Sequence, residues 1–98
     1  MTIKLFNNSQ YDSLFYHEAA KTGHPCKVRI GGGHIELSYD DDGAVVKYVG
    51  FEVGQGHFEL RAPEVQGTAT LHMFENGKYM EGHWREGQYH GMWRVTLG

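Results

Sequence analysis

Hydrophobic residues in the last third of the chain recur at every second position. Gly67 to Gly98 reads GTATLHMFENGKYMEGHWREGQYHGMWRVTLG. Leu71 and Met73 share one phase, Met80, Gly82 and Trp84 another, and Tyr89, Gly91, Trp93, Val95 and Leu97 a third. A period of two presents side chains to one face of a strand. The segment therefore predicts three strands, Thr68 to Phe74, Tyr79 to Arg85 and Tyr89 to Leu97. Glu75-Asn76-Gly77-Lys78 and Glu86-Gly87-Gln88 are the turns between them, and Asn-Gly is a strong hairpin signal.

The same alternation continues upstream. Val28 and Ile30 point inward from a strand over Cys26 to Ile30. Ile35, Leu37 and Tyr39 share a face opposite His34, Glu36 and Ser38, and Phe58 and Leu60 alternate with His57, Glu59 and Arg61. Ala44 to Val53 is β-rich, and Ala62-Pro63-Glu64 breaks the run after it, since proline lacks the donor a central strand needs. Near the start the pattern changes. Ile3 to Phe6 is a short apolar patch before the turn signal Asn7-Asn8-Ser9. From Ser9 to Lys21 the spacing predicts a helix capped by Ser9 or Asp12. Tyr11 and Leu14 lie three apart and Phe15 and Ala19 four apart, which makes an apolar stripe. Gly23 and Pro25 end it. The predicted fold is α+β but mostly β, a single domain over residues 1–98. One N-terminal helix packs on a coiled antiparallel sheet, or partly open small barrel, of six to seven strands.

Composition bounds what such a domain does. The formal charge is −3 with seven histidines neutral, and lysine and arginine are scattered. No basic run exists to follow a phosphate backbone, so direct nucleic-acid binding is not expected. No membrane-length apolar run occurs, and no membrane insertion is expected. Cys26 is the only cysteine. With no internal disulfide available, the reading is cytoplasmic. Gly31-Gly32-Gly33 lacks the lysine and serine or threonine of a phosphate loop and reads as a tight turn. Asp40-Asp41-Asp42-Gly43 has the start of a calcium loop, but the run that follows is strand-like, so a hairpin turn fits better. No cofactor is expected.

Gly82-His83-Trp84-Arg85-Glu86-Gly87-Gln88-Tyr89-His90-Gly91-Met92-Trp93 resembles a single MORN-type repeat. Gly82, Trp84, Gly87 and Gly91 match that family's spacing, and Tyr79 lies one residue upstream of its leading tyrosine. A fainter echo begins at Tyr48-Val49-Gly50 and continues through Gly54 and Gly56. The resemblance implies stacked hairpins and a membrane-associated or protein-binding role. It spans about a dozen residues, and the regular tandem copies of a solenoid are not present in this chain.

The histidines are the compositional oddity. His34, His57 and His83 fall opposite the apolar faces of their strands, each two residues from a glutamate: Glu36, Glu59 and Glu81. His90 shares that phase, and His72 can take either face. Neighbouring strands would make a histidine–carboxylate surface, able to bind a metal through His34, His57 and His83, to move protons, or simply to meet water. Cys26 and the serines lack the neighbours of a nucleophile. Trp84 and Trp93 belong in the core. With Tyr89 and Phe58 they are also the candidate binding residues if a groove or interior opens onto them. The preferred function is a non-enzymatic, small acidic domain that binds a protein partner, in the manner of an inhibitor or regulator. It rests on an acidic face, an open sheet edge that also permits a homodimer, and the lack of a catalytic constellation. The alternatives are a barrel for a small apolar ligand and a metal-dependent enzyme using the His/Glu face.

Overall fold

The computed structural model describes residues 3–15 and 19–98. Eight antiparallel strands form one closed barrel in chain order. They are β1 (Lys4–Phe15), β2 (Lys21–Gly31), β3 (His34–Asp41), β4 (Ala44–Gly54), β5 (His57–Ala62), β6 (Gly67–His72), β7 (Tyr79–Glu86) and β8 (Tyr89–Thr96), with one 3₁₀ turn at Pro63–Val65 between β5 and β6. The seam pairs β1 with β8, from Gln10 opposite Thr96 to Phe15 opposite Gly91. Eight strands leave an interior just wide enough for side chains to fill. Val28, Ile35, Leu37, Tyr48, Leu60, Leu71, Met80 and Val95 fill it, each at most 2% exposed.

Three features of the predicted fold are corrected. The sheet has eight strands rather than six or seven, it closes fully, and the described residues contain no α-helix. Ser9 to Phe15 is the second half of β1, and Lys21 begins β2. The inward positions of β1 are Ser9, Tyr11, Ser13 and Phe15, while Leu14 faces out. Two small polar residues in the interior and a leucine outside erase the alternation of apolar and polar that marks a strand. What remains imitates a helical stripe. Ala19 and Ala20 are non-helical and exposed, and Tyr16 to Glu18 of that stretch lie outside the described residues.

Local chemistry explains how the two irregular strands hold. The Asn7-Asn8 turn signal is a bulge in β1, where the register slips between Phe6 and Ser9. The buried Ser9 hydroxyl donates to the Phe6 carbonyl at 3.0 Å and accepts the Gly98 N–H at 3.2 Å, so its burial leaves no orphaned polar group. A second slip lies between Tyr11 and Ser13. There Gly23, at φ +65°, turns its N–H to Asp12 Oδ1 at 2.8 Å. Beyond Lys27 the β2–β3 ladder stops. Pro25 has no N–H to continue it, and the His24 ring nitrogen instead meets the Asp40 carbonyl at 3.0 Å.

The turns are mostly as expected. Asp42 and Gly43, both at positive φ, form a two-residue loop of the kind that matches strand twist. Asp40 Oδ1 accepts the Gly43 N–H at 2.9 Å. Asn76-Gly77 sits in a wider connection, closed by the Gly77 N–H to the Phe74 carbonyl at 2.9 Å.

The β7–β8 hairpin shows why its glycines are there. Gly82 is paired with Trp93, and Trp84 with Gly91. Each interior indole thus faces a glycine on the neighbouring strand. A Cβ at Gly82 would run into the Thr70 carbonyl, and one at Gly91 into the Leu14 carbonyl and the Trp84 ring. In the Gly-x-Trp pattern, written twice, Gly91 leaves room for the Trp84 ring and Gly82 lets the β6 backbone approach closely.

Candidate functional site: the aromatic mouth of the barrel

The strands run up and down in order, so the C-terminal ends of β1, β3, β5 and β7 all lie at one end of the barrel. At this end the interior opens into a cavity of about 200 Å³. Its aromatic wall is Tyr11, Phe15, Tyr39, Tyr48, Trp84 and Trp93, and its polar lining includes Ser13, Lys21, Asp41 and Glu86. The rings pack on one another. Tyr11 lies 5.0 Å from Tyr39 and 6.2 Å from Trp93, and Tyr48 lies 5.6 Å from Trp93 between centroids. Phe15 meets Trp84 edge-on at 5.1 Å.

Glu86 is the polar centre. It occupies the inward phase of β7 after Met80, Gly82 and Trp84, at the point where the strand leaves the barrel. Its Oε2 accepts the Tyr48 hydroxyl at 2.6 Å and the Tyr39 hydroxyl at 3.5 Å. Burial raises the Tyr48 pKa well above the ordinary tyrosine value, with the hydrogen bond to Glu86 and that group's charge adding to it. Burial, then the Glu86 charge, does the same to Tyr39. Burial followed by the Cys26 and Asp41 charges raises Tyr11. The tyrosines are therefore neutral donors near neutral pH. Cys26, 4% exposed, is pushed up to about 12 by burial and is a core thiol.

Trp93 Nε1 donates to the Thr70 carbonyl at 3.1 Å. Trp84, 6% exposed, differs: its buried Nε1–H has no acceptor among the described residues. Such a group costs about 1–3 kcal/mol unless something satisfies it, and unsatisfied buried donors are uncommon in folded proteins.

Of the four candidate binding residues, Trp84 and Trp93 line this mouth. Phe58 is buried in the core, and Tyr89 is 48% exposed at the start of β8; neither lines the cavity. Sequence alternation places Tyr39 inward without marking it as a site residue, and the helical stripe takes in Tyr11. Glu86 falls in the Glu86-Gly87-Gln88 turn signal, yet its phase with Trp84 marks an inward carboxylate. The structure adds these three and Tyr48 to the site.

The outer face carries the histidines. His57, His72, Glu81 and Arg94 lie in one register across β5 to β8. The His57 and His72 rings are 4.8 Å apart, His72 Nδ1 meets the Glu81 carbonyl at 3.2 Å, and Arg94 pairs with Glu81 at 2.9 Å. His34 packs edge-on against Phe51 at 4.9 Å, and His83 lies 6.0 Å from His90. The three metal candidates His34, His57 and His83 thus have separate neighbours. Among the described residues no three histidine, cysteine or carboxylate side chains are grouped to hold a metal ion.

Comparison with known proteins returns no match: no family model, no curated protein and no solved structure matches this chain. The segment that resembles a MORN repeat forms the β7–β8 hairpin.

Proposed function

We propose that this barrel binds a small ligand in its aromatic mouth. The observation that carries the reading is the cavity of about 200 Å³ at the mouth, walled by Tyr11, Phe15, Tyr39, Tyr48, Trp84 and Trp93 around the Glu86 carboxylate. An apolar pocket with a few convergent polar groups is the usual form of a ligand site. Here those groups are Glu86 and the tyrosine hydroxyls bonded to it. The outer face bears Lys27, Arg29, Glu59, Arg61, Arg85 and Arg94, all exposed, around an apolar interior. Exposed Leu5, Leu14, Val45, Val53 and Met92 share that face, but charges spread along the strands differ from the unbroken apolar band of a lipid-facing barrel.

The test is a fragment screen on isotope-labelled protein, read at the indole N–H resonances of Trp84 and Trp93. Low-mass compounds should shift both indoles together with residues around Tyr48 and Glu86. If no fragment moves the indoles, or all shifts fall on the outer face, the mouth is not a binding site.

The partner-binding reading keeps one observation of its own. Ile3, Val49 and Phe51 are exposed and line an outer groove of about 280 Å³ with Arg29 and Glu36. Closure of the sheet removes the open edge that the reading also used. In the same screen, shifts confined to the β3–β4 outer surface would favour it.

A further inference from the structure

We infer that the mouth takes a small organic cation, a quaternary or methylated ammonium group, which rests on reading the mouth as a ligand pocket and specifies what enters it. The walls come first. Tyr11, Tyr39, Tyr48, Trp84 and Trp93 line one cavity. Aromatic rings carry negative faces, and tyrosine and tryptophan walls are the means by which proteins hold quaternary ammonium ions without a hydrogen bond.

The carboxylate comes second. Glu86 is half-buried, and its two partners, Tyr48 and Tyr39, are neutral donors. The ion pairs among the described residues are Lys47–Glu36 and Arg94–Glu81, both on the outer face. Among the described residues no basic group lies within ion-pair distance of Glu86, so a bound cation has a carboxylate to pair with in the cavity. Asp41 lines the same cavity, and Asp42 stands on the adjoining turn. Among the described residues Lys21, exposed, is the one cationic side chain lining it. This balance favours cations and disfavours anions.

Size comes third. About 200 Å³ lies below the roughly 300–1,000 Å³ of pockets for drug-sized molecules. A compact head group with a short arm suits it.

The experiment titrates the whole chain with choline and with 3,3-dimethylbutan-1-ol, its neutral isostere, by calorimetry and tryptophan fluorescence. Choline should bind about tenfold or more tightly than the isostere, in line with desolvated cation–π contacts and a paired carboxylate. Glu86→Gln should weaken choline by about tenfold and leave the isostere unchanged. Equal binding of the two probes, or unchanged choline affinity in Glu86→Gln, overturns the cation inference while the pocket stands. Absence of heat and of any emission change with both probes overturns the inference and the pocket together.

Discussion

Replacing Gly82 with alanine sets two physical effects against each other. Glycine within a strand costs roughly 0.5–1 kcal/mol relative to alanine through the freedom it loses on folding, so Gly82→Ala would stabilise an unobstructed strand. The barrel obstructs it. The new methyl would meet the Thr70 carbonyl, a backbone atom with no rotamer to escape into. That same carbonyl accepts the Trp93 indole N–H at 3.1 Å. Overpacking costs about 1–3 kcal/mol, and a weakened hydrogen bond about 0.5–1.5. The net expectation is a destabilisation of roughly 1–3 kcal/mol. Gly54 is the control. A methyl there would sit 3.5 Å from the His57 ring, an ordinary contact, so Gly54→Ala should be neutral or stabilising by up to about 1 kcal/mol. Equilibrium urea unfolding of the two variants against the parent protein measures both. If Gly82→Ala is as stable as Gly54→Ala, β6 and β7 have slack the packing does not show, and the account of the Gly-x-Trp hairpin is wrong.

Stability should decline in alkali. Cys26, Tyr11, Tyr39 and Tyr48 all have raised pKa values, so the folded chain holds protons that the unfolded chain releases. Their contribution is complete below the unfolded values. It is lost from about pH 9 for Cys26, whose folded value is about 12, and from about pH 10 upward for the tyrosines. Urea midpoints should hold level to about pH 8.5 and then fall, with the buried tyrosines ionising only as near-ultraviolet dichroism collapses; their titration near pH 10 in an intact fold would contradict this. Trp93→Ala should cost about 3–5 kcal/mol, since its ring packs on Tyr11 and Tyr48 and its N–H is bonded. His57→Ala, on an exposed outer position, should cost under about 0.5. Equal losses in urea melts would mean the inner and outer faces are exchanged.

Legibility followed the size and polarity of what points inward. In β3, β5, β7 and β8 the inward residues are Ile35, Leu37, Phe58, Leu60, Met80, Trp84, Trp93 and Val95, and the alternation is plain in the chain. In β1 the barrel buries Ser9 and Ser13 instead. Those positions matter because each gives the interior a small volume, and no hydropathy pattern reports volume. Closure was hidden for a related reason. The β1–β8 seam joins residues as far apart as Gln10 and Thr96, and local periodicity carries no information about such a pairing. The site was half visible. Two tryptophans on inward phases pointed to it, whereas Glu86 and the three tyrosines converge from four different strands. Their meeting depends on register and coiling around the whole barrel, which only the assembled sheet defines.

The up-and-down order of the strands has a further consequence for how this protein can change. The rim of the mouth includes the connections after β3, β5 and β7, which lie far apart in the chain, and Asp41 and Glu86 stand beside two of them. Loops tolerate insertion and substitution better than the strands they join. Each of the three can therefore lengthen or change charge without altering the ladder beneath it, and selectivity can drift one connection at a time while the aromatic floor stays as it is.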